Sequence, residues 1–423
     1  MTMSTARITY HGYEGCPSIE LPQSKSMAAR AMMLAAYLGA PLPALRGDEC
    51  DDITHLHDAL VKALAPVDDD IDIGSSGTAM RFMLSFLSLR REGAGRRVLR
   101  GSEQVQGRPI GSLVDTLRTL GAEIEYLGEE GYLPVAVTPQ DLRSDDVTEV
   151  DTSESSQYMS SLMLLACAVP GGLKLRMDGK GVSYSYILMT IEMLSRAGIE
   201  VLFVDGIIEV KRGGRELKLP GIEADWSAAG YFYEAIALSP PGSTLMLPGL
   251  LPFGESVQGD SRMQRIFAEV GVDTTAVEGG LLLTKVKRRR RNSRPVEESL
   301  KSIPDALPAL SATFCGLHIP YNFDGLSHLR YKESDRLSTL GSELYSVGYR
   351  VHASATGLVY NGWPRRPRRR RVISSHDDHR IVMAIAPLAV LNPLEITGAE
   401  AIEKSFPSYF AELEKVGYGV EVF

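Results

Sequence analysis

Three strings in this chain look like helix starts and carry cations in or near their first turns: Lys25 with Arg30, Arg81, and Arg380. A helix N-terminus presents unpaired N–H groups and the positive end of the dipole, so it favours anions. Any one of these cations could be matched by an ion pair to a neighbouring Asp or Glu. Three of them, each in a small-residue apolar helix, point instead to a cleft for polyanions bearing phosphate or carboxylate groups. Further cations lie in Gly- and Pro-marked strings: Arg108 in VQGRPIG, Lys332 and Arg336 in LRYKESDRL, and Lys404 in EKSFPSYF. Glu333 lies beside Lys332, which suits a proton donor held near anionic ligands. The four-residue spacing of Lys332 and Arg336 is equally that of an exposed helical ion-pair pattern.

Two aspartates carry a similar ambiguity. Asp305, in a Pro-Asp-Ala turn, is either an N-cap or a general base, and Asp225 in EADWSAA reads the same way. The string His376, Asp377, Asp378, His379 has metal-ligand residue types. Adjacent residues point to different sides of a helix, however, and no second ligand cluster accompanies them, so a metal site is not expected. His55 and His57, two apart, are no stronger. There is no Walker A pattern, no strand-turn-helix G-x-G-x-x-G and no G-x-S-x-G, which leaves nucleotide and serine-hydrolase chemistry without local support.

The elements that must position these residues recur. Six times a polar turn leads into a small-residue apolar helix: Ser24–Leu38, Ser75–Leu87, Ser155–Ala168, Asp225–Leu238, Ile303–Leu317 and Asp377–Leu391. Each opens with a residue suited to a helix N-terminus and lacks the polar stripe of a surface helix, so each is expected to be buried nearly all round. Their starts are roughly 50 to 80 residues apart, a loose period of repeated supersecondary units. Between them lie strand-like runs (RRVLRG, GYLPVAVTP, LKLRMDG, VLFVDGIIEVKR, GLLLTKVK) and more amphipathic helical segments, Gly111–Leu127 and Tyr186–Val201. The pattern predicts six α/β units in two domains. The extended segments Pro17–Gln23 and Leu219–Ala224 would be the crossovers, and the first residues would pair with the C-terminal half.

Composition sets outer limits. A length of 423 residues suggests two to three domains, and 44% hydrophobic with 23% charged residues is an ordinary globular balance. The formal net charge is −8, from 45 Lys and Arg against 53 Asp and Glu, a poor starting point for a general nucleic-acid binder. Two basic runs, Lys285–Arg294 and Arg365–Arg371, hold no aromatic residue to stack on bases and read as solvated loops or hairpin tips. Cys16, Cys50, Cys167 and Cys315 lie far apart, as in a reducing compartment. The start shows no secretory signal, and the longest uncharged stretch, Ser155–Leu173, opens polar and closes in Pro-Gly-Gly. A cytoplasmic chain with no membrane span is expected.

Taken in order, SKSxxxR, GTAMR, RPIG, SSQ, SVQGD, IPDA, KESDR, DHR and KSFP resemble the motif set of the 5-enolpyruvylshikimate-3-phosphate synthases, within the enolpyruvyl transferases. The resemblance runs from LPQSKSMAAR to EKSFPSYF and so covers almost the whole chain. It implies a two-domain inside-out α/β barrel with three βαβαββ-type units per domain and buried helices at each centre. By that resemblance, residues 1–19 plus 224–423 form the domain with the general base and the C-terminal cationic motifs. Residues 20–223 form the domain with the main shikimate 3-phosphate motifs, and the active site lies in the cleft between the two. The implied reaction moves the carboxyvinyl group of phosphoenolpyruvate to the 5-hydroxyl of shikimate 3-phosphate and releases phosphate, with no nucleotide or metal cofactor and as a monomer. Both substrates carry a phosphate and a carboxylate, which accounts for a cationic cleft in an acidic chain.

Carried over position by position, the resemblance gives shikimate 3-phosphate to Lys25, Ser26, Arg30, Ser155, Ser156, Gln157, Ser183, Tyr186, Asp305 and Lys332. Phosphoenolpyruvate falls to Lys25, Gly77, Thr78, Arg108, Gln157, Arg336, Arg380 and Lys404. Asp305 is implied as the base on the 5-hydroxyl and Glu333 as the acid on the methylene carbon, with Lys25 and Lys404 also in the catalytic set. Gly77 is expected to let a ligand approach the backbone, and to leave room for glyphosate, the family's phosphonate inhibitor. The chain departs from the common pattern at Ser75 (often Asn), at Tyr184 and Ser185 (often Lys-Pro) and at His328 (Asn in some members). Two rival readings are a UDP-N-acetylglucosamine enolpyruvyl transferase, which calls for a reactive cysteine on an exposed loop, and a nucleic-acid binder acting through the Arg runs. A pseudoenzyme keeping the fold as an interaction module is a third, against which the complete charged set stands.

Overall fold

The computed structural model describes residues 4–47, 49–66, 70–144, 146–177, 183–211, 218–287, 294–364 and 371–423. Most of both Arg runs, residues 288–293 and 365–370, lies outside the described residues. The chain divides into two compact units. One, the inserted unit, is Ser24–Ile222; the other, the terminal unit, combines Met1–Gln23 with Glu223–Phe423. In the terminal unit Gln23 bridges Ala224, and the Asp225 N–H donates to the Pro22 carbonyl at 2.9 Å, so the outgoing and returning passages of chain are hydrogen-bonded side by side.

A single sheet topology recurs four times. In each, the first strand runs parallel to the second, the second antiparallel to the third, and the third antiparallel to the fourth. In the inserted unit the orders are Ile71–Asp72, Arg97–Arg100, Val135–Thr138, Glu123–Tyr126, and then Val147–Val150, Leu173–Met177, Ile207–Lys211, Glu200–Val204. In the terminal unit one order is Val296–Ser299, Tyr321–Asp324, Leu358–Pro364, Tyr349–Ala353. The last is Val372–Ser374, Leu394–Thr397, Thr5–Tyr10, Tyr418–Val422, in which the chain's first strand supplies the third position. A fifth, three-stranded sheet gains an edge from residues 17–19, where Ser18 bridges Met246 in parallel.

No four-stranded sheet accompanies the helices Lys25–Leu38 and Asp51–Leu64 among the described residues. The segment joining them, GAPLPALRGDEC, contains two prolines that cannot donate to a strand ladder and two glycines at positive φ. The six-fold regularity read from the helices therefore holds for helices more completely than for sheets.

The small-residue helices are buried as their composition predicts. Lys25–Leu38, Gly77–Ser88, Gln157–Ala166, Trp226–Leu238, Leu307–Gly316 and His379–Ile385 have almost no exposed face. Their companions are one-sided: in Asp51–Leu64 the buried residues Ile53, Leu56, Ala59, Leu60 and Ala63 follow helical spacing. Small side chains let backbones come close. At Gly230 a Cβ would sit 3.1 Å from the Met263 thioether and 3.4 Å from Ala309, so the helix Trp226–Leu238 packs there by lacking a side chain. Buried helices matter for function because they bring their N-termini, with the cations near them, to fixed positions.

Candidate functional site

In the inserted unit, Lys25 meets a carboxylate while two buried arginines sit among neutral oxygens. Lys25 is the first residue of its helix, with Ser24 at the cap position but making no side-chain capping bond, and its ammonium meets Asp52 at 2.8 Å. One turn on, Arg30 is buried. Its guanidinium donates to Thr190 Oγ1 (2.8 Å), Ser160 Oγ (3.0 Å) and the carbonyls of Ser26 (2.8 Å) and Tyr186 (3.3 Å), and it lies over the Phe82 and Tyr186 rings. None of these partners is ionised, and burial pushes the Arg30 guanidinium down to about 10. Arg81 follows the same pattern. It donates to the Gly77 carbonyl (3.1 Å) and Gln157 Oε1 (2.8 Å), stacks on Tyr158, and is lowered by burial.

Gln157 ties these parts together: its amide nitrogen donates to Thr78 Oγ1 at 2.8 Å while its oxygen takes Arg81. Ser156 is the cap position of the Gln157 helix, and Ser155 Oγ accepts from the Gln157 N–H at 3.2 Å. Ser183 holds the left-handed cap position of Tyr184–Arg196, with φ 55°, just ahead of Tyr186. Gly77 opens the helix Gly77–Ser88 behind Ser76, whose hydroxyl accepts from Ala79 N–H. A Cβ at Gly77 would collide with the Arg108 guanidinium and come within 3.2 Å of Arg81. The missing side chain thus makes room for two arginines, a packing reason the sequence did not show. Within this unit Lys25, Ser26, Arg30, Gly77, Thr78, Arg108, Ser155, Ser156, Gln157, Ser183 and Tyr186 all stand at or near helix N-termini.

In the terminal unit, cations sit among carboxylates. Arg336 is buried and donates to Asp305 (3.2 Å), Glu333 (2.5 Å) and Asp378 (2.9 and 3.2 Å). Burial alone would lower its pKa; the three carboxylates outweigh that and raise it. Arg380 reaches Asp305 as well, at 3.2 Å to the carboxylate and 3.4 Å to its carbonyl. Asp305 is therefore clamped by two guanidinium groups. It is not the cap its turn suggested: it lies in a single 3-10 turn, Pro304–Ala306, and the helix Leu307–Gly316 has Ala306 at its cap with no side-chain bond. Asp225, by contrast, does cap its helix, accepting from Ala228 N–H at 2.9 Å.

The helical ion-pair reading of Lys332 and Arg336 is also overturned. The helix starts at Arg336, and Lys332 is extended, at the end of the 3-10 segment Ser327–Tyr331. Burial lowers the Lys332 ammonium, while Asp305 and Glu333 pull it back up. His328 is buried on the same segment. Burial and the charges of Lys332, Arg336 and Lys301 push it down to about 4 against the pull of Asp305, so it is neutral at pH 7. Lys404, the last residue of Ala399–Lys404, meets the Asp377 carboxylate at 2.5 Å.

Two functional carboxylates were missed. Asp378 caps the helix His379–Ile385 through the Arg380 N–H (3.0 Å) and grips Arg336. Asp260 is buried, takes the Ser227 hydroxyl, and is raised first by burial and then by Asp305. Both were on the page as residues, in HDDH and in SVQGD; the signal was a carboxylate directly beside a helix start. Among the described residues no group of three or more His, Cys, Asp or Glu could hold a metal. Cys50 and Cys167 are buried, unlike a reactive loop cysteine. No helix among the described residues is long and apolar enough to cross a membrane.

Asp305 held by two guanidinium groups beside Glu333 is a pair that can take and give protons in one place. Arg30 and Arg81 of the inserted unit, donating to hydroxyl, amide and carbonyl oxygens, suit anionic ligands.

Comparison with known proteins agrees with this chemistry. Residues 45–413 match the family described as EPSP synthase (3-phosphoshikimate 1-carboxyvinyltransferase). A 3-phosphoshikimate 1-carboxyvinyltransferase of Bacteroides fragilis is 35% identical over 409 residues, 96% of each chain. One from Vibrio vulnificus is 30% identical over 426 residues, 93% of this chain and 95% of the relative. By fold, the chain is similar to an EPSP synthase of Acinetobacter baumannii (TM-score 0.72, 21% identity, all of both chains). It is also similar to the enolpyruvyl transferase NikO of Streptomyces tendae (TM-score 0.71, 14% identity, 100% and 99%). A match over most of the length, joined to relatives at 30 to 35% identity, fixes the assignment: the chain belongs to the EPSP synthase family.

Proposed function

We propose that this chain transfers the carboxyvinyl group of phosphoenolpyruvate to the 5-hydroxyl of shikimate 3-phosphate, releasing inorganic phosphate, in the synthesis of aromatic amino acids. The carrying observation is the clamp on Asp305, a carboxylate held by Arg336 and Arg380 with Glu333 on the same arginine. Asp305 takes the proton of the 5-hydroxyl as its oxygen bonds to C2 of phosphoenolpyruvate, while Glu333 delivers a proton to the methylene carbon. The resulting tetrahedral intermediate then loses a proton from that carbon and its phosphate, restoring the double bond. Positioned acid–base groups contribute about 10²–10⁴-fold each, and the surrounding cations supply charge stabilisation.

Shikimate 3-phosphate is assigned to Lys25, Ser26, Arg30, Ser155, Ser156, Gln157, Ser183, Tyr186, Asp305 and Lys332. Phosphoenolpyruvate is assigned to Lys25, Gly77, Thr78, Arg108, Gln157, Arg336, Arg380 and Lys404, with glyphosate competing for these. Residues of both units are needed for turnover. The finer architecture we assign is an inside-out α/β barrel with three βαβαββ-type units in each domain; the four recurring sheets support it. The chain acts as a cytoplasmic monomer without cofactor.

Mixing the protein with both substrates and following phosphate release tests the reading directly. Release that depends on shikimate 3-phosphate is expected. Release only when UDP-N-acetylglucosamine replaces shikimate 3-phosphate would transfer the assignment to the sister reaction.

A further inference from the structure

The four residues of the HDDH string have separate tasks: Asp378 and His379 are buried, whereas His376 and Asp377 are exposed. Asp378 is fully buried on Arg336, His379 is buried in its helix, and His376 Nε2 meets Glu343 Oε1 at 2.8 Å. The Asp377 side chain is the more exposed of the outer two, at 61%, and its carboxylate lies 2.5 Å from Lys404 Nζ. The same ammonium donates to the Asp377 carbonyl at 3.1 Å, so one residue holds Lys404 twice. This requires an unusual backbone: His376 and Asp377 both have positive φ, 50° and 59°, a region that non-glycine residues seldom occupy. Anchors on either side maintain it. They are the His376–Glu343 contact and the bonds of Asp377 N–H to Ser375 Oγ and of Asp378 N–H to the Ser375 carbonyl.

We propose that Asp377 is a positioning residue that tunes affinity: it competes with the phosphoryl group of the substrate for Lys404 and so sets how tightly phosphoenolpyruvate binds. The inference rests on the reading that Lys404 meets phosphoenolpyruvate. A ligand with a single negative charge replaces the Asp377 carboxylate like for like and gains little. A phosphoryl group, with charge near −1.5 to −2 and three acceptor oxygens, outbids it.

The test is Asp377→Asn, which removes the charge, keeps the backbone carbonyl and tolerates positive φ. The KM for phosphoenolpyruvate is expected to fall about two- to fivefold, the range of a partly exposed ion pair, while the KM for shikimate 3-phosphate stays put. Asp377→Glu, which keeps the charge, should remain nearer the parent, and the gap between parent and Asn variant should narrow in high salt. Calorimetric titration with inorganic phosphate provides an arm independent of turnover: tightest in Asp377→Asn, weaker in the parent, weakest in Lys404→Met. Turnover by the parent with an unchanged or raised phosphoenolpyruvate KM in Asp377→Asn overturns the proposal and leaves the function standing. No turnover by the parent removes the function, and the phosphate titration still decides: equal affinity in parent and Asn variant overturns the role of Asp377.

Discussion

The two units bury charge in opposite ways. Among the described residues the inserted unit buries Arg30, Arg81 and Arg97 and no carboxylate, and satisfies its guanidinium groups with hydroxyls, amides and carbonyls. The terminal unit buries seven carboxylates, Glu223, Glu234, Asp260, Asp305, Glu343, Asp378 and Glu412, with Arg336 and Arg380 set among them. The pKa directions follow: Arg30 is lowered and Arg336 raised, though both are buried. Neutral partners leave a guanidinium with unspent charge for an anion; carboxylate partners consume it. On the proposed reading, one unit attracts substrates and the other moves protons on them.

The sharpest way to break this contrast is Asp305→Asn. The amide keeps size and can still accept from Arg336 and Arg380, so substrate binding should persist, while turnover falls about 10²–10⁴-fold. Near-normal turnover, read by phosphate release, would remove Asp305 from its role and with it the proton-moving half of the comparison. Next is Arg336→Met, which strands Asp305, Glu333 and Asp378 without their shared cation. Losing one partner of a buried charge network costs about 3–5 kcal/mol, so the denaturant midpoint of the terminal unit should drop steeply.

Arg30→Met probes the other side. Its partners are neutral and can be left behind with modest loss of stability, so this variant should fold. The KM for shikimate 3-phosphate should rise about 10- to 100-fold, the worth of hydrogen bonds to a charged group. If Arg30→Met unfolded as readily as Arg336→Met, the distinction between the two kinds of buried arginine would fail.

Much of this was legible in the sequence because it depends on local spacing. The buried helices announce themselves by small apolar residues without a polar stripe, and Lys25, Arg30, Arg81 and Arg380 by their place at the helix starts. What distinguishes Arg30 from Arg336 was not legible, because it is set by long-range partners. Thr190 lies 160 residues from Arg30, and Asp378 lies 42 from Arg336. Asp305 illustrates the same limit. Its turn resembled a cap, and only the two arginines brought to it by later helices make it a clamped base. At Gly77 the sequence suggested space for a ligand; the packing of Arg108, 31 residues on, against the same spot was not legible.

The smallest expected effect concerns a carboxyl the chemistry does not use. Glu234, in the middle of the helix Trp226–Leu238, is fully buried, and neither oxygen has a hydrogen-bond partner among the described residues. Burial raises its pKa well above 4.5, so it is neutral in the fold. An unfolded chain releases that proton near its ordinary value of 4.5 and the folded one does not, so the unfolded state binds fewer protons above it. Stability from this group is thus greatest in acid and declines as pH rises from about 4.5 toward the raised folded value, by up to about 1.4 kcal/mol per pH unit. Glu234→Met, of similar size and without the orphaned oxygens, should remove that slope and be the more stable protein near neutral pH. Parallel denaturation curves at pH 5 and 8 isolate the effect, since every other carboxylate is common to both proteins. A parent-to-variant difference that stays constant across that range would mean Glu234 has an ionised partner after all, and that the terminal unit balances even its central acid.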